Sequence, residues 1–222
     1  MLDFASARYN MIESQIRPND VTDKSVLQAM LDTPRELFVP AAKRSVAYQD
    51  EDFVIHTSDD GIQRFIMEPR VLARLLQFAD IKPGALVLYV GAGLGYGPAV
   101  VSKLAETVVA LESDATLAGH ASQNLTEAGA DNVAVIEGAL QQGCPDQAPF
   151  DAIVVDGALP EAPADLCSQL KDGGKLVCVI GRGLAGKAHV FEATGGEASA
   201  RVEFSAAVAP VPGFEKPDAF VF

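Results

Sequence analysis

Cysteine, histidine and positive charge are all scarce in this chain of 222 residues, and each scarcity removes a class of function. The three cysteines, Cys144, Cys167 and Cys178, are odd in number and form no C-x-x-C pair, so neither a disulfide framework nor a zinc knuckle follows. They are expected to be small buried core residues. The three histidines, His56, His120 and His189, stand far apart and in no ligand spacing, so no metal site is expected. Only 17 Lys and Arg face 30 Asp and Glu, a net charge of -13. Such a surface repels phosphate backbones and anionic headgroups, so neither nucleic acid nor a membrane is an expected partner. No apolar run approaches the roughly 18 residues that suggest a spanning helix. The opening MLDFASARYN has neither a basic start nor a continuous apolar stretch. A cytoplasmic protein is the expectation.

What the chain does have is apolar content, 49% of it, enough for one well-buried core. From Leu86 onward the short apolar runs LVLYV, TVVALE, VAVIE, AIVVD and KLVCVI alternate with longer helix-compatible segments. That alternation is the signature of a parallel sheet with crossover helices. The helices are expected at 97–105, 115–128 and 163–170, the last ending before a turn at KDGG. The closing AHVFEAT, GGE and ARVEFSAAVAP read as a hairpin that gives the sheet an antiparallel edge, which the terminal AFVF extends. Before the sheet, apolar positions recur at helical spacing over 3–16 and 24–31, and EPRVLARLLQFA is an amphipathic helix opened by Glu68 and Pro69. YQDEDF and SDDG read as solvated loop faces, and GRGLAGKAH as a mobile loop.

The first strand runs into VGAGLGYG, where Gly91, Gly93 and Gly95 let a ligand approach the backbone between a strand end and a helix start. A dinucleotide fingerprint needs a glycine where Tyr96 stands, which disfavours a nicotinamide-dependent oxidoreductase. Glu112 ends the next strand, placed to accept from both hydroxyls of a ribose. A nucleoside ligand fits this pair.

G-x-G-x-G followed by an acid at the end of the second strand resembles the S-adenosylmethionine (SAM) site of class I methyltransferases. The flanking PRELFVP, FDAIVVDGALPEAPADLCSQLKDGGKLVCVIG and PGFEKPDAFVF resemble the protein-L-isoaspartate O-methyltransferase family, and the likeness runs from about Met11 to the C-terminus. The resemblance implies a doubly wound, Rossmann-like α/β methyltransferase sheet of seven strands, mostly parallel with an antiparallel C-terminal hairpin. Residues 1–80 are then an N-terminal helical extension with the acceptor-site loop, and residues 81–222 the SAM-dependent domain. The implied reaction moves a methyl group from SAM to a free carboxylate, on an isoaspartyl residue of a damaged protein or on another protein or small-molecule acid. Oligomeric state stays open. Tyr89, Gly91, Gly93, Gly95, Glu112, Gly138, Ala139 and Asp156 are the implied cofactor positions, and Arg64, Met67 and Asp156 the implied catalytic ones.

Three of these positions depart from the family pattern. Tyr89 stands where an acid usually precedes the glycine turn, and Ala139 where an acid usually follows the third strand. Met67 replaces the hydroxyl residue of a loop that usually reads G-Q-T-I-S-x-P. Arg64, in that same loop, is a candidate clamp for an acid. The competing reading is a catalytically degenerate member that acts as a binding or interaction protein.

Overall fold

The structure, a computed structural model, describes residues 3–214. Helix α1 (Phe4–Met11) is capped by Asp3, whose side chain accepts from the Ser6 N–H. It continues through a wider helical turn, Ile12–Ile16, that buries Ile12 and Ile16. Helix α2 (Lys24–Asp32) is capped in the same manner by Asp23 and buries Val26, Leu27, Ala29 and Met30. Next comes an element that the sequence pattern does not announce. Strands β1 (Phe53–Thr57) and β2 (Gln63–Ile66) pair antiparallel, and the acid-rich SDDG forms their turn, where the Ser58 N–H donates to the Ile62 carbonyl. Helix α3 (Pro69–Ala79) has proline in its first turn and buries Val71, Leu72, Leu75 and Leu76 along one stripe.

The rest is the expected doubly wound unit: β3 (Leu86–Val90), α4 (Tyr96–Val101), β4 (Thr107–Glu112), α5 (Ala115–Glu127), β5 (Val133–Glu137), β6 (Phe150–Leu159), α6 (Ala164–Cys167), β7 (Leu170–Ile180), β8 (Lys187–Thr194) and β9 (Glu197–Ser205). The seven strands lie in the order β5-β4-β3-β6-β7-β8-β9. All neighbours through β7 are parallel, and β8 and β9 close the edge antiparallel. In β3, Val87 and Tyr89 enter the core shared with α2 and α3, while Leu88 and Val90 enter the core that holds Leu140 and Leu166. Successive side chains of a strand point to opposite faces, so a continuous apolar run buries on both.

Three expected boundaries move. The helix expected over 97–105 is α4, which ends at Val101 and runs into a turn. The helix expected over 163–170 is only α6, because Leu170 already pairs with Phe150 in the sheet. KDGG is a bulge inside β7 rather than a turn before it: Phe150 faces Leu170 and Ala152 faces Lys175. The AFVF segment lies outside the described residues. Cys144 and Cys178 are buried, Cys167 is half-buried, and all three are free thiols. Among the described residues no helix is long and apolar enough to cross a membrane.

Candidate functional site

The strand order reverses at β3, which has β4 on one side and β6 on the other. The crevice at the carboxyl ends of such strands is where open α/β sheets bind ligands. Gly91, Gly93 and Gly95 turn the chain from β3 into α4 with φ of +87°, +57° and +100°, a backbone that side chains resist. The Gly91 and Ala92 N–H groups donate to the Leu111 carbonyl at 2.9 and 3.0 Å, tying the turn to the end of β4. Asn124 of α5 fixes the far side by donating to the Leu94 carbonyl at 2.9 Å.

Glu112, the last residue of β4, is fully buried. Its carboxylate accepts from the Gly93 N–H at 2.8 Å, the Ser113 N–H at 2.8 Å and the Asp114 N–H at 3.1 Å. Arg64 of β2 completes the set: Nη2 donates to Oε2 at 2.9 Å and Nη1 donates to Oε1. Two parallel N–H donors on two carboxylate oxygens is the strong, geometrically specific form of this pair. Arg64 is itself buried, 6% exposed. The hairpin that delivers it lies over the glycine turn. A Cβ on Gly93 would stand 3.1 Å from the Ile55 methyl, and His56 Nε2 is 3.4 Å from Asp114 Oδ2.

Tyr89 is buried beneath α4, and its hydroxyl donates to Asp156 Oδ2 at 2.7 Å. The phenol fills the space that a Cβ on Gly97 would need, so the tyrosine and that glycine accommodate one another. Asp156 sits in β6 where the pairing with β7 shifts register, and Gly157 follows at φ +138°. Burial pushes the Asp156 carboxyl up to about 6; the Tyr89 hydroxyl opposes this, the Asp52 charge adds to it, and Arg64 and Arg35 oppose it. Gly138 follows β5 and donates its N–H to the Glu112 carbonyl at 3.0 Å, while Ala139 opens the short turn Leu140–Gln142 with no polar side-chain atom.

Asp52 and Arg35 join the site although the sequence reading names neither as a site residue. Asp52, within a stretch that reads as a solvated loop, accepts from the Glu68 and Ala209 N–H groups, both at 2.7 Å. Arg35 is fully buried; it donates to the carbonyls of Ala47 at 2.7 Å and Met67 at 2.8 Å, and its guanidinium lies 4.6 Å from the centre of the Tyr96 ring. Arg35 is part of PRELFVP, but an arginine is mostly exposed unless paired, so nothing in its type announces burial. Met67 is buried, its carbonyl held by Arg35.

Arg64, Met67, Asp52, Asp156 and Gly157 line one cavity of about 10 Å³, the size of a single water. Larger hollows lie elsewhere: about 300 Å³ at the opposite, amino-terminal end of the central strands, near 79–85 and 171–175, and about 350 Å³ between α6 and the β8–β9 hairpin. Small-molecule pockets run to about 300–1,000 Å³. The glycine turn and Glu112 are themselves buried, and the β1–β2 hairpin, through Ile55 and Arg64, is what covers them.

Known proteins resemble this chain along nearly its whole length. The family model described as protein-L-isoaspartate(D-aspartate) O-methyltransferase matches residues 6–216. A protein-L-isoaspartate O-methyltransferase of Hyperthermus butylicus is 40% identical over 189 residues, covering 80% of this chain and 76% of that one. One of Roseiflexus castenholzii is 41% identical over 180 residues, covering 81% and 80%. Among solved structures, a protein-L-isoaspartate O-methyltransferase superposes with a TM-score of 0.80 at 23% identity, over 93% of this chain and 67% of that chain. A second, from Plasmodium falciparum in complex with S-adenosyl-L-homocysteine, gives 0.79 at 21% identity, over 96% and 100%. The structures establish the fold, and the sequence relatives favour an enzyme over a purely interacting protein.

Proposed function

The chain belongs to the protein-L-isoaspartate O-methyltransferase family, and from that premise we propose which of its residues bind, orient and dehydrate the reactants. It is a SAM-dependent O-methyltransferase. The relatives are named for L-isoaspartate, and a protein carboxylate is the acceptor we assign. The donor set at the switch point fits SAM: a turn with bare backbone beside a carboxylate that can take two hydroxyls. That placement of Glu112 against the three-glycine turn is the observation that carries the reading.

When bound, SAM supplies a methyl group on a positively charged sulfur. An acceptor carboxylate is already ionised at neutral pH, so the chain needs no strong general base and works through positioning and dehydration. Glu112 accepts from the ribose hydroxyls, and Gly91, Gly93 and Gly95 admit the ligand against the backbone. Gly138 and Ala139 flank it at the end of β5, and Tyr89 supports the turn from below through Asp156. On the acceptor side, Met67 supplies a dry apolar wall, Arg64 the cation that meets the acceptor carboxylate, and Asp156 the ionisable group that sets the charge opposite them. Residues 81–222 hold the cofactor in this assignment, and residues 1–80 supply the cover and most of the acceptor side. Three free thiols support a reducing, cytoplasmic setting, and the charge of -13 argues against nucleic acid or anionic lipid as acceptor.

The test uses methyl-labelled SAM with two peptides that differ only in an aspartyl or isoaspartyl linkage. Base-labile methyl ester on the isoaspartyl peptide alone is the expected result. Equal transfer to both, or to neither, overturns the isoaspartyl assignment.

A further inference from the structure

A carboxylate offers about four lone-pair positions to donors. At Glu112, three N–H donors come from the backbone of Gly93, Ser113 and Asp114, which belong to the glycine turn and the β4–α5 junction. They cannot leave without unmaking those elements. The two N–H groups of Arg64 bring the donors to five, and the Ser113 hydroxyl lies 3.5 Å from Oε1, so the carboxylate has no acceptor position to spare. A ribose diol needs acceptor positions on the same carboxylate; the backbone donors are fixed and the Ser113 hydroxyl is only a 3.5 Å contact, so the Arg64 donors are the ones that must vacate them. Guanidinium and ribose are therefore alternatives.

The position of the guanidinium agrees with that count. Arg64 Nη2 lies 3.4 Å from where a Cβ on Gly91 would stand, against the bare backbone of the turn. With the hairpin down, the hollow beside Arg64 is only about 10 Å³. Departure of Arg64 does not strand its charge, because Asp52 and Asp156 line the same cavity. One ion pair is exchanged for another, and the guanidinium turns toward the acceptor side.

We propose that Arg64 is an internal occupant of the ribose subsite, and that SAM binds by displacing it from Glu112. The proposal rests on SAM being the cofactor. Cofactor affinity is then set by a competition inside the protein, and the acceptor clamp becomes free only once the cofactor is in place.

Calorimetric titration with S-adenosylhomocysteine, which carries the ribose and no transferable methyl, tests this on the full chain with Arg64→Gln and Arg64→Lys. Arg64→Gln is expected to bind at least about tenfold more tightly than the parent, since a charge-assisted pair no longer has to be broken. Arg64→Lys, which keeps the charge but loses the fork, is expected to gain by a smaller factor and carries the test if the glutamine variant fails to fold. Tighter binding together with a lowered unfolding midpoint separates a competitor from a merely structural arginine. Unchanged or weaker binding in a folded variant, with the parent binding normally, overturns the proposal and leaves the SAM reading intact. No binding by the parent or either variant overturns both.

Discussion

The two sides of the crevice are built by different means. The cofactor side is made largely of consecutive residues, Leu86 through Tyr96 and the end of β4, and its glycine turn is tied to the sheet by backbone hydrogen bonds. The cover side is assembled from separate stretches that contribute Arg35, Asp52, Arg64, Met67 and the segment at Ala209, joined by side chain to backbone bonds. A turn held between two parallel strands has one geometry, whereas a hairpin held by a few side chains has a cheaper route to opening. Ligand entry therefore belongs to the cover, and recognition of the nucleoside to the sheet. The Arg64–Glu112 pair is where the two sides meet.

Removing that meeting point has the largest expected effect. Glu112→Ala leaves the Arg64 guanidinium buried without its partner, at a cost of about 3–5 kcal/mol in denaturant unfolding, and abolishes binding of S-adenosylhomocysteine. Adding Arg64→Ala removes the stranded charge, so the double variant should regain part of the stability and none of the binding. Stability and recognition would then separate along the boundary between the two sides. A folded Glu112→Ala protein that binds the ligand as the parent does would break the assignment of the ribose contact.

Rigidity of the cofactor side is open to a narrower probe. Gly97→Ala drives a methyl group into the Tyr89 ring and should cost about 1–3 kcal/mol by overpacking. In a Tyr89→Leu background the same substitution should cost clearly less, and a double-mutant cycle on unfolding free energies reads the coupling. Additive costs would mean that the turn yields, and the contrast with the cover would lose its basis.

The same division separates what the sequence shows from what it hides. TVVALE and VAVIE coincide with β4 and β5: β4 is buried on both faces and reads as an unbroken apolar run, and β5, the half-buried edge strand, keeps its β-branched Val133, Val135 and Ile136. Glycines at positive φ and a carboxylate ending a strand are likewise local signals, so the turn and Glu112 are legible from the residues alone. The β1–β2 hairpin is hidden because FVIHT and QRFI are short, mixed in polarity and joined by an acid-rich turn that reads as solvent-facing. Asp52 and Arg35 are hidden for a related reason. Their partners are backbone groups 12 to 157 positions away, and no local periodicity records a contact of that kind. Arg64 is legible as a candidate clamp for an acid, but its partner in the structure is Glu112, far along the chain.

Asp156, on the border between the two sides, gives the smallest and most specific effect. Its folded-state carboxyl is pushed up to about 6 from an ordinary value of 3.8, with burial the main cause. Between these two values the folded protein holds a proton that the unfolded chain has released, so this group makes stability fall as pH rises through the window. Above about 6 its contribution levels off. Asparagine cannot titrate, yet its carbonyl oxygen still accepts from the Tyr89 hydroxyl. The unfolding free energy of the parent minus that of Asp156→Asn should therefore decline from pH 4 to 6 and then run flat, with all other groups cancelling in the difference. Urea unfolding at pH 4, 5, 6 and 7 measures it, and parallel curves would break the expectation. Arg64→Gln sharpens the result, because the Arg64 charge holds the Asp156 carboxyl down. Removing that charge should carry the declining window to higher pH, a shift that appears only if the cover-side arginine and the sheet-side acid feel one another across the cavity.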